Sequence, residues 1–187
     1  LTTSSAASDV YKRQVPKGFR GKSKFYIQLW WVIQKIFINL SPQPFYGWRR
    51  FWVRLFGGKV GKKVKIRPSV KITYPWKVSI GDFSWIGDEV VLYTLGNIHI
   101  GRHTVVSQRS YLCTASHDYT KEAFDIFSSK INVGDGCWLA ADVYVAPGIS
   151  IGSGAIVGAR SSVFSNIKRN TINFGSPCKT IRDRKIK

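Results

Sequence analysis

His117 is the side chain in this chain whose type and setting best suit chemistry. A histidine takes up a proton near neutral pH, and a neighbour that holds one ring nitrogen leaves the other free to act as a base. His117 lies in the run LCTASHDYTKEAFDIFSSK at 112–130, the one long break in an otherwise regular chain. Asp118 follows it directly and is the candidate for the orienting neighbour. Adjacent residues on a loop often point apart, so that geometry stays open, and an exposed loop histidine without a role is the plain alternative. Cys113, Cys137 and Cys178 form no C-x-x-C and have no histidine at metal-ligand spacing, so neither a zinc site nor a disulfide framework is expected. The glycine-rich run 152–158 lacks the G-x-G-x-x-G spacing of a dinucleotide loop.

The elements that must position His117 come from a repeat. From Val60 to Val163 an aliphatic residue heads every six-residue unit: Val60, Ile66, Ile72; Ile80, Ile86, Leu92; Ile100, Val106, Leu112; Val133, Leu139, Val145; Ile151, Val157, Val163. Leu, Ile and Val make up about a quarter of the chain, so this register is an internal repeat and not chance. The residue two before each head is also small or β-branched, as at Val64, Val78, Ser84, Thr104, Ser110, Cys137 and Ala155, and glycine often follows the head. Two inward positions per hexad, a short flat strand and a turn, taken three times, make a triangular coil. The pattern predicts an all-β fold, a parallel β-helix of about five coils. Cys137, inward by register, is expected to pack as a small residue.

The breaks in the register are ordered. Two extra residues follow Ile72, two follow Leu92, and fifteen follow Leu112, each in the third hexad of its coil. All three excursions therefore project from one edge of the prism. Stacked insertions on one edge build a wall beside a groove, as a binding site requires. Tyr74, Trp76 and Trp85 lie near this edge and could equally stack on a sugar or pack against a neighbouring subunit. His99 and His103 occupy outward or corner slots of regular hexads and receive no role.

Outside the repeat, the opening LTTSSAASDVYKRQ resembles translated adaptor sequence, and residues 1–14 are set apart from the fold. Residues 15–57 are expected to hold two short amphipathic helices, 58–165 the β-helix with its loop at 113–132, and 166–187 a basic tail. The apolar run 25–40 is too short and too polar to span a bilayer and is not followed by a small-residue cleavage site. The helices either cap the open first coil or lie on a membrane surface, and both roles are compatible. The formal charge of +19, from 29 basic against 10 acidic residues, calls for an anionic partner, and nucleic acid, anionic lipid or a polyphosphate cofactor would all serve. A reducing, cytoplasmic setting is expected from the three unpatterned cysteines.

The segments YPWKVSIGDFSWIGDEVVLY at 74–93, VVSQRSYLCTASHDY at 105–119, INVGDGCWLAADVYVAPGISIGSGAIVGA at 131–159 and GSPCKTIRDR at 175–184 resemble the hexapeptide-repeat acyltransferases. Within that family the likeness is to the colanic acid biosynthesis acetyltransferases, relatives of the galactoside, maltose and nodulation-factor O-acetyltransferases. The resemblance implies a left-handed winding and acetyl transfer from acetyl-CoA to a sugar hydroxyl, with His117 as general base and no acyl-enzyme or metal. It also implies a homotrimer with sites between neighbouring prisms and coenzyme along the coils. By the same resemblance Trp138 adjoins the pantetheine arm, Ala141 and Ala159 are small positions where the arm passes, and a main-chain amide near Ala141 serves the oxyanion. Lys179 and Arg182 match basic residues near the nucleotide phosphates. Tyr93 and Thr94 match positions at the acceptor, where relatives commonly carry Asn in place of Thr94. Phe164-Ser165 also departs from the Thr-Lys that relatives often carry after Val163.

The expected function is therefore an O-acetyltransferase acting on a saccharide intermediate of exopolysaccharide biosynthesis, cytoplasmic and possessing a surface suited to peripheral contact with an anionic membrane. The alternatives are a serine or antibiotic acetyltransferase on the same scaffold, and a non-catalytic basic solenoid binding anionic lipid or nucleic acid. Nucleic acid is not expected, and a pure binding scaffold has no need of His117 on an edge insertion.

Overall fold

The computed structural model describes residues 18–121 and 124–185. The adaptor-like residues 1–14 lie outside the described residues. The repeat folds as a left-handed parallel β-helix whose three faces are stacks of two- and three-residue strands. The first face stacks Lys59–Val60, Val78–Ile80, Ile98–Ile100, Ile131–Val133 and Ser150–Ile151. The second runs from Lys65–Ile66 through Trp85–Ile86, Val105–Val106, Trp138–Leu139 and Ile156–Val157, and the third from Lys71–Ile72 through Val91–Tyr93, Tyr111–Cys113 and Tyr144–Val145 to Ser162–Val163.

The aliphatic heads pair with one another from coil to coil, as in Val60 with Ile80 and Leu112 with Val145, and all fifteen are buried. Burial of three such columns supplies the apolar driving force that a solenoid of very short strands needs. The second inward position carries hydroxyls for a reason that the hexad pattern does not give. Ser84 Oγ donates to Gly101 O at 2.6 Å and accepts from Thr104 N at 3.0 Å, and Thr104 Oγ1 donates to Gly134 O at 2.7 Å and accepts from Cys137 N at 3.1 Å. These bridges satisfy main-chain groups that turn inward between coils. The buried Cys137 Sγ closes the series at 3.2 Å from Gly152 O, and burial pushes its thiol pKa up, which keeps the sulfur protonated and inert.

The glycine after the head is there for stacking, not for its dihedral freedom. A Cβ on Gly81 would sit 2.5 Å from Arg102 N, and one on Gly152 would sit 2.5 Å from Arg169 N, so the next coil approaches too closely for any side chain. The left-handed backbone falls two residues later, at Phe83, His103, Asp142 and Arg160 among others.

Of the segment expected as a basic tail, the described residues 166–185 extend the coil. Ile167 bridges to Ile151, Thr171–Phe174 pairs parallel with Ile156–Val157, and Lys179–Asp183 folds back antiparallel, giving a partial sixth turn. Asn173 occupies the next head slot, where its Nδ2 donates to Ile156 O at 3.0 Å and its Oδ1 accepts from Thr180 Oγ1 at 2.7 Å. An amide in place of an aliphatic head ends the apolar column while satisfying the last strand, and this is why the hexad count stops short of it.

At the other end, helix α1 (Lys24–Ile33) passes through a π-helical turn at Gln34–Asn39 and is followed by α2 (Tyr46–Leu55). Ser23 Oγ caps α1 by accepting from Tyr26 N. Trp30, Ile38, Val53 and Phe56 bury against the first coil. Trp30 Nε1 donates to Ile72 O at 2.8 Å, and Gln34 Oε1 accepts from Ile72 N at 2.7 Å, so side chains replace the missing neighbouring strand. Among the described residues no helix is long and apolar enough to cross a membrane.

Candidate active site

The three excursions all leave the third face and rejoin the first, so they stack on a single edge. Threonines tie them together. Thr94 Oγ1 accepts from Tyr74 N at 2.6 Å and donates to Tyr74 O at 3.0 Å, which binds the second excursion to the first. Thr114 Oγ1 donates to Tyr93 O at 2.5 Å and accepts from Gly96 N at 2.8 Å, which binds the third to the second. Ile27, Tyr74, Leu95 and Ala115 fill the space behind this ladder, with Tyr93, Trp76 and Ile126 packed against them.

The third excursion rises from this base as a two-stranded hairpin in which Ala115–His117 pairs antiparallel with Ile126–Ser128. His117 stands at its far end, half-buried. Its ring stacks on Phe124 with centroids 4.5 Å apart and planes 8° from parallel. His117 Nδ1 lies 2.8 Å from Phe124 O. A carbonyl oxygen can only accept, so Nδ1 carries a hydrogen, and in the neutral ring Nε2 then holds the lone pair. Phe124 reaches this position with φ of 48°, an uncommon conformation for an aromatic residue.

Asp118 does not hold the ring. Its Oδ1 accepts from Thr120 N at 3.1 Å and from Thr120 Oγ1 at 2.6 Å, and Lys121 Nζ lies 3.4 Å from Oδ2. The Thr120 hydrogen bonds hold its carboxyl below the usual carboxylate range. Asp118 is thus a turn-forming residue of the hairpin, and a main-chain carbonyl seven residues from His117 takes the orienting place expected of it. Thr94 is fully buried and its hydroxyl hydrogen is donated to Tyr74 O. Tyr93 remains half-exposed beside Ala115, at the base of the hairpin. Tyr74 and Trp76 pack on one another at 5.1 Å, and Trp76 Nε1 donates to Arg20 O at 2.9 Å, so both serve the cap.

The remaining candidate residues gather elsewhere on the prism. Trp138 projects from the second face, 48% exposed, with Nε1 donating to Ser107 Oγ at 3.0 Å. Ala141 and Ala159 occupy the corner between the second and third faces, one coil apart, where Arg160 N donates to Ala141 O at 2.9 Å. Ala140 N and Asp142 N are bonded to Val157 O and Gln108 O, whereas the Ala141 N–H has no partner among the described residues. Lys179 and Arg182 lie exposed on the strand Lys179–Asp183 at the end of the second face, and neither is ion-paired among the described residues. A single chain therefore carries His117 on one edge and the other candidate groups on the second face and a different edge.

Residues 130–165 match the family model described as bacterial transferase hexapeptide (six repeats). Over 170 residues the chain is 56% identical to the "Putative colanic acid biosynthesis acetyltransferase WcaF" of Escherichia coli, covering 91% of this chain and 93% of that protein. The chain belongs to the hexapeptide-repeat acetyltransferases. Among them it is also 25% identical over 127 residues to the galactoside O-acetyltransferase of Escherichia coli, covering 66% of this chain and 63% of that one. A hexapeptide-repeat acetyltransferase of Vibrio cholerae, solved with acetyl coenzyme A, shares the fold at a TM-score of 0.82 and 24% identity, over 97% of this chain and 99% of its own. Membership of this acetyltransferase family removes the reading of the chain as a non-catalytic solenoid. The resemblance did not point to the Phe124 carbonyl, because its role depends on the hairpin closing. The threonine ladder did leave a trace, since Thr94 and Thr114 both stand two residues after their heads.

Proposed function

We propose that this acetyltransferase moves an acetyl group from acetyl-CoA directly to a hydroxyl of a saccharide intermediate in exopolysaccharide biosynthesis, with His117 as general base. The observation that carries the reading is the Nδ1 contact to Phe124 O, which leaves Nε2 as a base without any carboxylate partner. His117 Nε2 takes the acceptor hydroxyl proton as that oxygen bonds to the thioester carbonyl carbon. The Ala141 N–H supplies a hydrogen bond to the oxyanion of the tetrahedral adduct. His117 then returns its proton to the departing thiolate sulfur as the carbon–sulfur bond breaks. Acetyl-CoA supplies the activated acetyl group. Trp138, Ala141 and Ala159 would hold the pantetheine arm, and Lys179 and Arg182 the phosphates, as exposed cations without an ion-pair partner among the described residues suit polyanions. The name of the colanic acid relative supports the saccharide class of acceptor, and the acetyl coenzyme A complex of the Vibrio cholerae protein supports the donor.

The separation of His117 from these groups supports a site shared between chains. A threefold assembly that set the third-to-first edge of one prism against its neighbour's second face would complete three sites in a homotrimer. Tyr93, at the base of the His117 hairpin, would then line the acceptor side.

Release of free thiol from acetyl-CoA, followed over a panel of saccharides with serine and an aminoglycoside alongside, tests this reading. Saccharide-dependent release is expected, and release with serine or the aminoglycoside alone would overturn the acceptor class. Asp118→Asn separates the two accounts of His117. Because the ring is held by a carbonyl, the variant is expected to keep kcat within about threefold, whereas loss of a true orienting carboxylate costs about 10⁴-fold in a serine-protease triad.

A further inference from the structure

The cap helices bury one face and expose another, and the exposed one is apolar. Phe25, Leu29, Val32, Ile36 and Leu40 recur at helical spacing along α1 and its π-helical turn, with Phe25 and Leu40 each 77% exposed. Trp48, Phe51 and Leu55 form a matching exposed stripe on α2. The two stripes meet where Trp48 Nε1 donates to Phe37 O at 2.8 Å and their rings lie 6.2 Å apart. An apolar groove of about 270 Å³, lined by Ile36, Phe37, Leu40, Phe45 and Trp48, runs between them. Capping the first coil does not use this surface, because the capping side chains are Trp30, Ile38, Val53 and Phe56 on the other side.

Charge decides what the surface fits. No acidic residue occurs anywhere in residues 10–81, a span that holds more than half of the chain's 29 basic residues. Lys22, Lys24, Lys35 and Arg54 are exposed on or beside the two helices. A second copy docked face to face would set like charges against each other. An apolar stripe rimmed by cations and aromatics is instead complementary to the headgroup and upper acyl region of an anionic bilayer.

We propose that α1 and α2 dock this acetyltransferase in the plane of an anionic phospholipid surface, with the Phe25–Leu40 and Trp48–Leu55 stripes entering the interface. The docked helices lie directly against the edge that carries His117: Ile27 of α1 packs on Tyr74, Leu95 and Ala115, and Trp31 Nε1 donates to Thr73 O at 3.4 Å.

The test is co-sedimentation of the full chain with phosphatidylcholine vesicles, and with vesicles in which about a third of the lipid is phosphatidylglycerol. Binding to the anionic vesicles is expected to be at least about tenfold stronger, and to weaken in 0.5 M salt as exposed charges are screened. The pair Phe25→Ser and Leu40→Ser is expected to reduce anionic-vesicle binding by at least about tenfold with an unchanged thermal midpoint, since both side chains lie in solvent. Equal binding to both vesicle types, no binding to either, or binding untouched by the pair would overturn the proposal. So would absence of vesicle binding together with self-association that the pair abolishes, which would assign the face to a second copy. None of these readouts involves acetyl transfer, so this inference and the proposed reaction fail separately.

Discussion

Replacing His117 with alanine is expected to lower kcat for thiol release by about 10²–10⁴-fold, the range contributed by a positioned general base. KM for acetyl-CoA should change little, because Trp138, Ala141, Ala159, Lys179 and Arg182 stand on other parts of the prism. His117→Asn sharpens the result. An asparagine amide can still donate to Phe124 O and so preserve the hairpin contact, yet it offers no basic nitrogen where Nε2 stood. If the loss comes from chemistry, Asn will be as damaging as Ala. Recovery of most of the activity with Asn would instead make His117 a structural element of the hairpin. Steady-state kinetics with both variants, beside thermal melts showing intact folding, distinguish the two outcomes.

The second large effect is expected at Arg49, far from any chemistry. Its guanidinium is fully buried and is ion-paired with no carboxylate among the described residues. Nε donates to Ile66 O at 2.6 Å, Nη1 to Ser41 Oγ at 2.8 Å and Pro42 O at 2.9 Å, and Nη2 to Gln43 O, while the group lies 4.9 Å from the Tyr46 ring centroid. One side chain thus ties the first coil to the turn between the helices. Burial pulls its pKa down from the ordinary arginine value, and the converging oxygens keep the charge in place. Arg49→Leu fills much of the volume but strands those acceptors, at a cost of about 3–5 kcal/mol. For a chain of this size that lowers the thermal midpoint by roughly 6–20 °C. Arg49→Lys, with fewer donors and no planar fork, should fall between the two. A midpoint shift under about 2 °C for Arg49→Leu would show that the cap contributes little to the stability of the prism.

Arg49 also marks where reading the sequence stops. It appeared there as one of several arginines on an amphipathic helix, and nothing in the spacing separated it from Arg50 or Arg54. The helix itself was legible, because apolar side chains at three- and four-residue spacing among arginines declare an amphipathic helix. The partner of a buried cation is set by which turn folds over it, and that turn lies six to eight residues away in sequence on a path that the pattern does not describe.

The same division runs through the site. The excursions on one edge were legible from arithmetic, since each extra length falls in the third hexad and the heads pair in register. Adjacency in sequence offered Asp118 as a partner for the base, and the resemblance added Thr94 as an acceptor contact. Packing gave both residues other work, because a threonine between stacked excursions bridges them and an aspartate two residues before a threonine closes a turn.

By itself, then, the sequence determined the prism, its coil boundaries, the edge from which the loops project and the histidine that the longest one carries. These follow from a period of six, and periodicity is a local property that each stretch of chain carries on its own. Only the tertiary structure decided that a carbonyl of Phe124 orients His117, that glycine after the head serves the next coil, that Asn173 ends the apolar column, and that His117 stands apart from the second-face groups. Each of these depends on side chains or main-chain atoms brought together by coil stacking or hairpin closure, and the hexad pattern fixes which residues stack without fixing which atoms meet.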